Sequence, residues 1–403
     1  MLVQVHHLTA EGVTRYFQRE RSRLLPRTAA EFFCGIGLVR MGLERSGWRV
    51  LFANDIDPQK REMYEAEFEK DRGALSHEDV HLLRAEDVPT VSLATASFPC
   101  NDLSLAGARD GLKGKHSSAF WGFVRVLEQM EGRRPPLLLV ENVTGFLTSH
   151  GGQDFSDALL ALNRLGYWVD AFILDAARFV PQSRQRLFIV GISRDWVGLV
   201  PTPEPLVFCE SEARPAALAQ FMLSHQDIQW YVRQLPPLPT RTLLLEDVIE
   251  DPPPQSTEWW TEDRADYLYK QLSPRHKKLA GAMMAGNKWR YGTVFRRIRN
   301  GRSMAELRVD GIAGCLRTPR GGSGRQIVVK AGKGKFYARL LTPRECARLM
   351  GADEFTITVP LNQALFGFGD AVCVPAIGWI ATNYLNPLLE EMSSCFPPAS
   401  HRS

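Results

Sequence analysis

The stretch "FFCGIGLVRMGLERSG", Phe32 to Gly47, decides the fold: an apolar strand end runs into a glycine turn and then into a helical pattern. Glycines let a backbone approach a ligand closely, and a helix N-terminus favours a negative group. Eighteen residues beyond Gly37 stands Asp55 in "ANDIDP", just after the next apolar run. A carboxylate there can bind both hydroxyls of a ribose, so the pair of features describes a nucleoside site. A purely structural tight turn would also explain the glycines. The spacing is not GxGxxG, which argues against a nicotinamide dinucleotide.

Working outward, the same rhythm recurs from residue 30 to 191: a strand-length apolar run, a turn of Gly, Pro or Asn, then a helical pattern. Strands are expected at Glu31–Cys34, Arg49–Ala53, Ser92–Phe98, Leu137–Val140, Val169–Leu174 and Leu187–Ile192. Helices are expected at Ser117–Met130 and Phe155–Gly166. The expected fold class is α/β, a mostly parallel doubly wound sheet. The rhythm breaks near Asp195 and proline-rich sequence succeeds it, so a second domain is expected over residues 196–330. That leaves a 28-residue N-terminal extension, a main domain over 29–195 and a C-terminal segment, 331–403, returning to it.

Composition narrows the class. With 44% hydrophobic and 23% charged residues the 403-residue chain has an ordinary globular make-up. Seven cysteines, an odd number without a CxxC pair, fit free thiols in a reducing compartment. No run approaches 18 apolar residues and the opening lacks a signal-peptide core, so a soluble cytoplasmic protein is expected. The net charge of +4 is uneven: from Arg275 to Arg344, 18 Lys and Arg face only Glu306 and Asp310, about +16, leaving about −12 elsewhere. Such a segment suits a polyanion, although a solvated basic surface has the same composition.

Three further motifs carry chemistry. In "TASFPCNDLS", Thr95 to Ser104, Cys100 follows Pro99 directly after the run "VSLATASF". Open parallel sheets bind ligands beyond the carboxyl ends of their strands, which sets this thiol apart from a buried apolar cysteine. In "LLLVENV", Glu141 and Asn142 follow an apolar strand into the same crevice, where burial would raise the carboxyl pKa; a turn or capping carboxylate is the plain alternative. In "VPQSRQRLFIVGI", Arg184 and Arg186 stand two apart before a strand, so alternation points both to one side, the crevice or the surface. His77 and His81 have helical spacing without a third ligand, so no metal is expected.

These four motifs in this order resemble the DNA (cytosine-5)-methyltransferase family, of restriction-modification or phage type. The resemblance covers about residues 30–192 and 311–385. "RLLTPRECARLMG" (Arg339 to Gly351) and "GFGDAVCVP" (Gly367 to Pro375) are similar to the family's ninth and tenth motifs. It implies a class I S-adenosylmethionine-dependent methyltransferase fold, Rossmann-like, with a smaller target-recognition domain. The cofactor would be S-adenosylmethionine, held by Phe33, Gly35, Ile36, Gly37, Asp55, Ile56, Asp79, Pro99 and Asp370. Cys100 would add to C6 of a flipped cytosine, Glu141 would support N3, Arg186 would hold O2 and Arg184 would position nearby groups. Departures are Asn101 for the usual glutamine, Asp370 for the usual asparagine, and Ile56 where many relatives have an aromatic.

Cations and aromatics interleave in "NKWRYGTVFRRIRNGR" (Asn287 to Arg302), so Arg290, Arg296, Arg297 and Arg299 are expected at duplex DNA, with Thr318, Arg320 and Arg325 of the next, glycine-rich loop at phosphates. A cognate restriction endonuclease encoded nearby would be the natural partner of a monomeric, cytoplasmic enzyme in a bacterial or phage-infected cell. Two other readings stay open: a transfer-RNA cytosine methyltransferase on the same scaffold, and a catalytically silent DNA-binding regulator. The "DPPP" at Asp251 is read as a decoy of an adenine-methylating motif. The target sequence is set by loop conformation and is not legible.

Overall fold

The computed structural model describes residues 25–99, 118–197, 206, 209–253, 255–299, 301–318 and 324–394. Cys100, Asn101, Arg320 and most of the N-terminal extension lie outside them. The main sheet has seven strands: β1 (Thr28–Phe32), β2 (Arg49–Asn54), β3 (Leu75–Ser76), β4 (Leu93–Ala96), β5 (Leu137–Val143), β6 (Tyr167–Asp175) and β7 (Gln185–Ser193). Their order across the sheet is β3-β2-β1-β4-β5-β7-β6. Every described pairing is parallel except the two made by β7. This is a doubly wound, mostly parallel α/β sheet, as expected from the sequence.

Helices cover both faces because both faces are apolar. On one side Phe32, Ala94, Leu138, Val140 and Ile189 meet Phe120, Phe123 and Leu127 of the helix Ser118–Met130 and Phe155, Leu159 and Leu162 of the helix Gln153–Arg164. Phe32 and Phe123 meet edge to face at 5.0 Å. On the other side Leu93, Leu139, Phe188 and Val190 meet α1 (Leu38–Glu44), through Val39 and Leu43, and Ile377, Ile380 and Leu388 from the C-terminal helices. Those last helices run back to the start of the sheet: the Leu25 N–H donates to Ser393 Oγ (3.3 Å) and Arg27 pairs with Glu390 (2.6 Å). The window within Leu361–Ser394 that is apolar enough for a membrane span is 61% buried in this core.

A second sheet of four antiparallel strands, β8 (Arg290–Arg299), β9 (Arg302–Arg308), β10 (Ile327–Gly332) and β11 (Lys335–Leu340), has the order β11-β10-β8-β9. Val294, Ala305, Leu307 and Val329 pack one of its faces on Leu268 and Met283 of the helices Glu262–Gln271 and Pro274–Met284. Both ends of this domain differ from the boundaries drawn on the sequence. β10 crosses residue 330, because the Ile327–Leu340 hairpin pairs as one unit with β8. Residues 209–232 join the large core instead: the Val169 N–H donates to Gln229 O, Val169 O accepts the Tyr231 N–H, and Cys209, Met222 and Trp230 pack on the main sheet.

Of the strand ends that move, two bear on the site. β1 stops at Phe32, not Cys34, because Phe33 already has φ of 56°. β5 continues through Val143, pairing Glu141 with Phe188 and Val143 with Arg186, so Glu141 is a strand residue and neither a turn nor a helix-capping carboxylate.

Candidate active site

The strand order reverses between β1 and β4, and ligands of such sheets bind over the carboxyl ends at that point. The turn leaving β1 forms one wall. Phe33, Gly35 and Gly37 all have positive φ (56°, 58° and 83°), and Gly37 caps α1. A Cβ on Gly37 would lie 2.3 Å from the Phe68 ring and 2.9 Å from Tyr64, so no larger residue fits without a shift. Ile36 is buried on the other side of the turn.

Asp55, at the end of the neighbouring β2, is locked onto that turn. Its Oδ2 accepts the Gly35 N–H (2.8 Å) and its Oδ1 the Asp57 N–H (2.8 Å). Each oxygen keeps a lone pair for a ligand hydroxyl. Burial raises its pKa above the ordinary range, against the pull of Lys60 and of the two backbone N–H groups. Ile56 beside it is 63% exposed, an apolar side chain with its surface open to a ligand. Asp79, half-buried in the next loop, engages one oxygen with the His81 N–H (2.9 Å). Pro99 is exposed at the end of the described segment that follows β4. From the other side comes the helix Leu361–Asp370, whose last residue, Asp370, lies 3.0 Å from Lys60 Nζ. Gly369 lets the same helix end lie against the Arg317–Thr318 peptide, which a Cβ there would meet at 2.6 Å.

The second wall comes from β5 and β7. Glu141, 7% exposed, lies 2.9 Å from Arg186 Nε and shares a side-chain hydrogen bond with Ser97. Burial raises its pKa, opposed by Arg186, Arg184 and Ser97. Asn142 donates to the Phe98 carbonyl (3.2 Å), fixing the backbone two residues before Cys100. Neither Ser97 nor Asn142 was assigned a role from the sequence.

Arg184 and Arg186 part company. Arg184 precedes β7 and is almost fully buried, yet it stays near enough to Glu141 and Arg186 to act on both electrostatically, so the two arginines differ in their hydrogen-bond partners. Arg184 donates to Leu316 O (2.8 Å), Gly369 O (3.0 Å) and Ala371 O (2.7 Å), and contacts Cys315 Sγ at 3.3 Å. It therefore positions two returning segments and touches the site through them. Cys315, also missed in the sequence, has its thiol pKa lowered: burial would raise it, but Arg184, Arg186 and Arg317 outweigh that.

The expected DNA-contacting arginines do not form one surface. Along β8 the side chains alternate, so Arg290 and Arg296 share a side and Arg297 and Arg299 hold positions on the other. Arg296 is drawn over Trp260, with Arg264 above the same ring at 4.0 Å, and burial lowers its pKa. Arg297 is exposed, 3.9 Å from Glu306. Arg299 stands opposite Arg302 near the hairpin turn. Thr318 is half-buried, and Arg325 donates to Asn362 (2.6 Å). Asp251 of "DPPP" is an ion-pair partner of Lys330.

Residues 28–386 match the family described as C-5 cytosine-specific DNA methylase. Among curated relatives, the Type II methyltransferase M.NgoBI of Neisseria gonorrhoeae is 27% identical over 86% of this chain and 89% of its own. M.HhaI of Haemophilus parahaemolyticus, also a Type II methyltransferase, is 25% identical over 88% and 92%. Among solved structures, the S. pombe Dnmt2 methyltransferase superposes with a TM-score of 0.58 over 90% of this chain and 99% of that one, at 18% identity. The match runs through both walls of the crevice and the intervening small domain, and the chain belongs to the C-5 cytosine-specific DNA methylases.

Proposed function

We propose that the chain transfers a methyl group from S-adenosylmethionine to C5 of cytosine within a specific duplex DNA sequence. The observation that carries this is the Glu141–Arg186 pair at the carboxyl end of β5, one strand from the β4 end that leads to Cys100, on the same carboxyl edge of the sheet as the Gly35–Asp55 cradle. The residues present fit the donor. Asp55 offers acceptors to ribose hydroxyls, exposed Ile56 offers apolar packing to adenine, and Asp79 offers a carboxylate to the adenine amino group. Phe33, Gly35, Ile36, Gly37, Pro99 and Asp370 complete the pocket.

Carbon 5 of cytosine is a weak nucleophile. The Cys100 thiolate adds at C6 and makes C5 enamine-like. Glu141, its pKa raised by burial, supplies a hydrogen bond or proton at N3 as charge develops, and Arg186 holds O2. S-adenosylmethionine, when bound, would supply the electrophilic methyl to C5 and leave as the thioether S-adenosylhomocysteine. Loss of the C5 proton and of Cys100 restores the aromatic ring. A stacked base cannot reach these groups, so the cytosine is flipped out. Arg184 acts at a distance, by holding Gly369–Ala371 and Leu316 in place. Arg290, Arg297, Arg299, Thr318 and Arg320 contact DNA. Arg296 and Arg325, already engaged with Trp260 and Asn362, contribute by ordering the strand and loop that carry the other contacts. A restriction endonuclease of matching specificity is the natural cytoplasmic partner, as the Type II relatives suggest.

The test is transfer of labelled methyl from S-adenosylmethionine to unmodified duplex DNA, mapped at base resolution, beside Cys100→Ala. Label at cytosine C5 in one short sequence, lost in the variant, is expected. Label on transfer RNA alone, or a Cys100→Ala protein that still methylates DNA, would overturn it.

A further inference from the structure

The pocket residues named so far leave the amino-acid end of the methyl donor without a cation, and one stands at the mouth of the cradle. Lys60 runs over the glycine turn: a Cβ on Gly35 would sit 3.9 Å from Lys60 Cδ. Its ammonium is 3.0 Å from Asp370 Oδ2, with the side chain 19% exposed. It is also near enough to Asp55 to oppose the rise in that carboxyl pKa. Its own pKa is raised, because Asp370 and Asp55 together outweigh the effect of burial. One ammonium thus stands between carboxylates from opposite walls of the pocket. The placement does not hang on the ion pair alone, since Gln363 donates to Gln59 O (3.0 Å) and Glu62 Oε2 (2.9 Å) and fastens the helix Pro58–Glu67, which carries Lys60, to Leu361–Asp370 a second time.

S-adenosylmethionine has a nucleoside at one end and a zwitterionic amino acid at the other. A pocket with Asp55 and Asp370 and no cation would repel the amino-acid carboxylate. We propose that Lys60 is a further cofactor-binding residue, which takes the carboxylate of the donor's amino-acid end while Asp370 holds its ammonium over Gly35. This rests on S-adenosylmethionine being the methyl donor. It also accounts for an aspartate at 370, where the resemblance leads one to expect an asparagine: the aspartate holds a lysine, and the lysine offsets its charge.

The test is calorimetric titration of the full chain with two probes, S-adenosylhomocysteine and 5′-methylthioadenosine. Both carry the nucleoside and a thioether; only the first has the amino-acid end. Lys60→Met is expected to weaken S-adenosylhomocysteine by about tenfold or more, the usual range for a lost hydrogen bond to a charged group. Methylthioadenosine should stay within about twofold. Lys60→Arg should keep most of the affinity, and Lys60→Met/Asp370→Asn should recover part of the loss, since the uncompensated carboxylate is gone. An equal loss on both probes would make the Lys60–Asp370 pair a strap between helices and overturn the proposal. No loss on either would do the same. A wild-type chain that binds neither probe would instead sink the methyl-donor reading itself, and this inference with it.

Discussion

Replacing Arg184 tests whether this side chain is the fastening that joins the small domain's return loop to the cofactor wall. The guanidinium gives three hydrogen bonds to main-chain carbonyls, those of Leu316, Gly369 and Ala371, at 2.7 to 3.0 Å, and is 2% exposed. In Arg184→Met each carbonyl is left buried without its donor, at about 1–3 kcal/mol apiece. Against this, the variant no longer buries a cation, a burden visible in the lowered pKa of Arg184, which burial and then Arg186 push down. The net expectation is a loss of roughly 3 kcal/mol. Arg184→Lys keeps the charge but replaces a planar fork by a single nitrogen, which cannot serve Leu316 and the Gly369–Ala371 pair together, so it should recover less than half. Urea denaturation followed by tryptophan fluorescence reads both values from the midpoints. A shift of under about 1 kcal/mol for Arg184→Met, or full rescue by lysine, would refute the clamp.

Other consequences are open to direct measurement. Glu141→Gln keeps the shape beside Arg186 but removes the acid, and kcat should fall about a hundredfold or more with cofactor affinity unchanged, by single-turnover methyl transfer. Glu31, 1% exposed on β1, is raised by burial from an ordinary 4.5 to about 8, with Arg40 pulling the other way. The folded state therefore binds more protons than the unfolded one between those values, so stability declines as pH rises from about 5 to 8, by up to roughly 4 kcal/mol. Glu31→Gln should flatten that decline; an unchanged pH profile would show that Glu31 is not its source. Arg297→Ala should weaken DNA binding about equally across sequences and lower the salt slope by about one, measured by fluorescence anisotropy between 50 and 200 mM salt.

Much of this was legible from short-range pattern. The strands of the main sheet are buried on both faces and so read as apolar runs, and the glycine turn after β1 announces a close backbone approach. Polar residues inside strands hid their true ends: Glu141 and Asn142 belong to β5, although a carboxylate and an amide after an apolar run resemble the start of a turn. The two-residue β3 offers no run to find. The partners of Arg184 were not legible because they lie 131 to 187 positions away, and nothing in its neighbourhood points to them. The same holds for Lys60, whose partner is the distant Asp370. Residues 209–232 read as part of the inserted domain because they touch β6 only at isolated points, Ala213 and Gln229–Tyr231, on either side of the short helix Ala216–Ser224.

The contact between Leu25 and Ser393, with the Arg27–Glu390 pair beside it, means that the two ends of the catalytic body are neighbours. The order in which the motifs are encoded is then a historical matter more than a physical one. A short linker from residue 394 to residue 25, with new termini opened at the exposed Gln255 between the large core and the small domain, would leave every strand pairing of both sheets intact. Circular permutation is thus compatible with this architecture, and a gene that carries the glycine turn after the small domain would encode the same strand pairings.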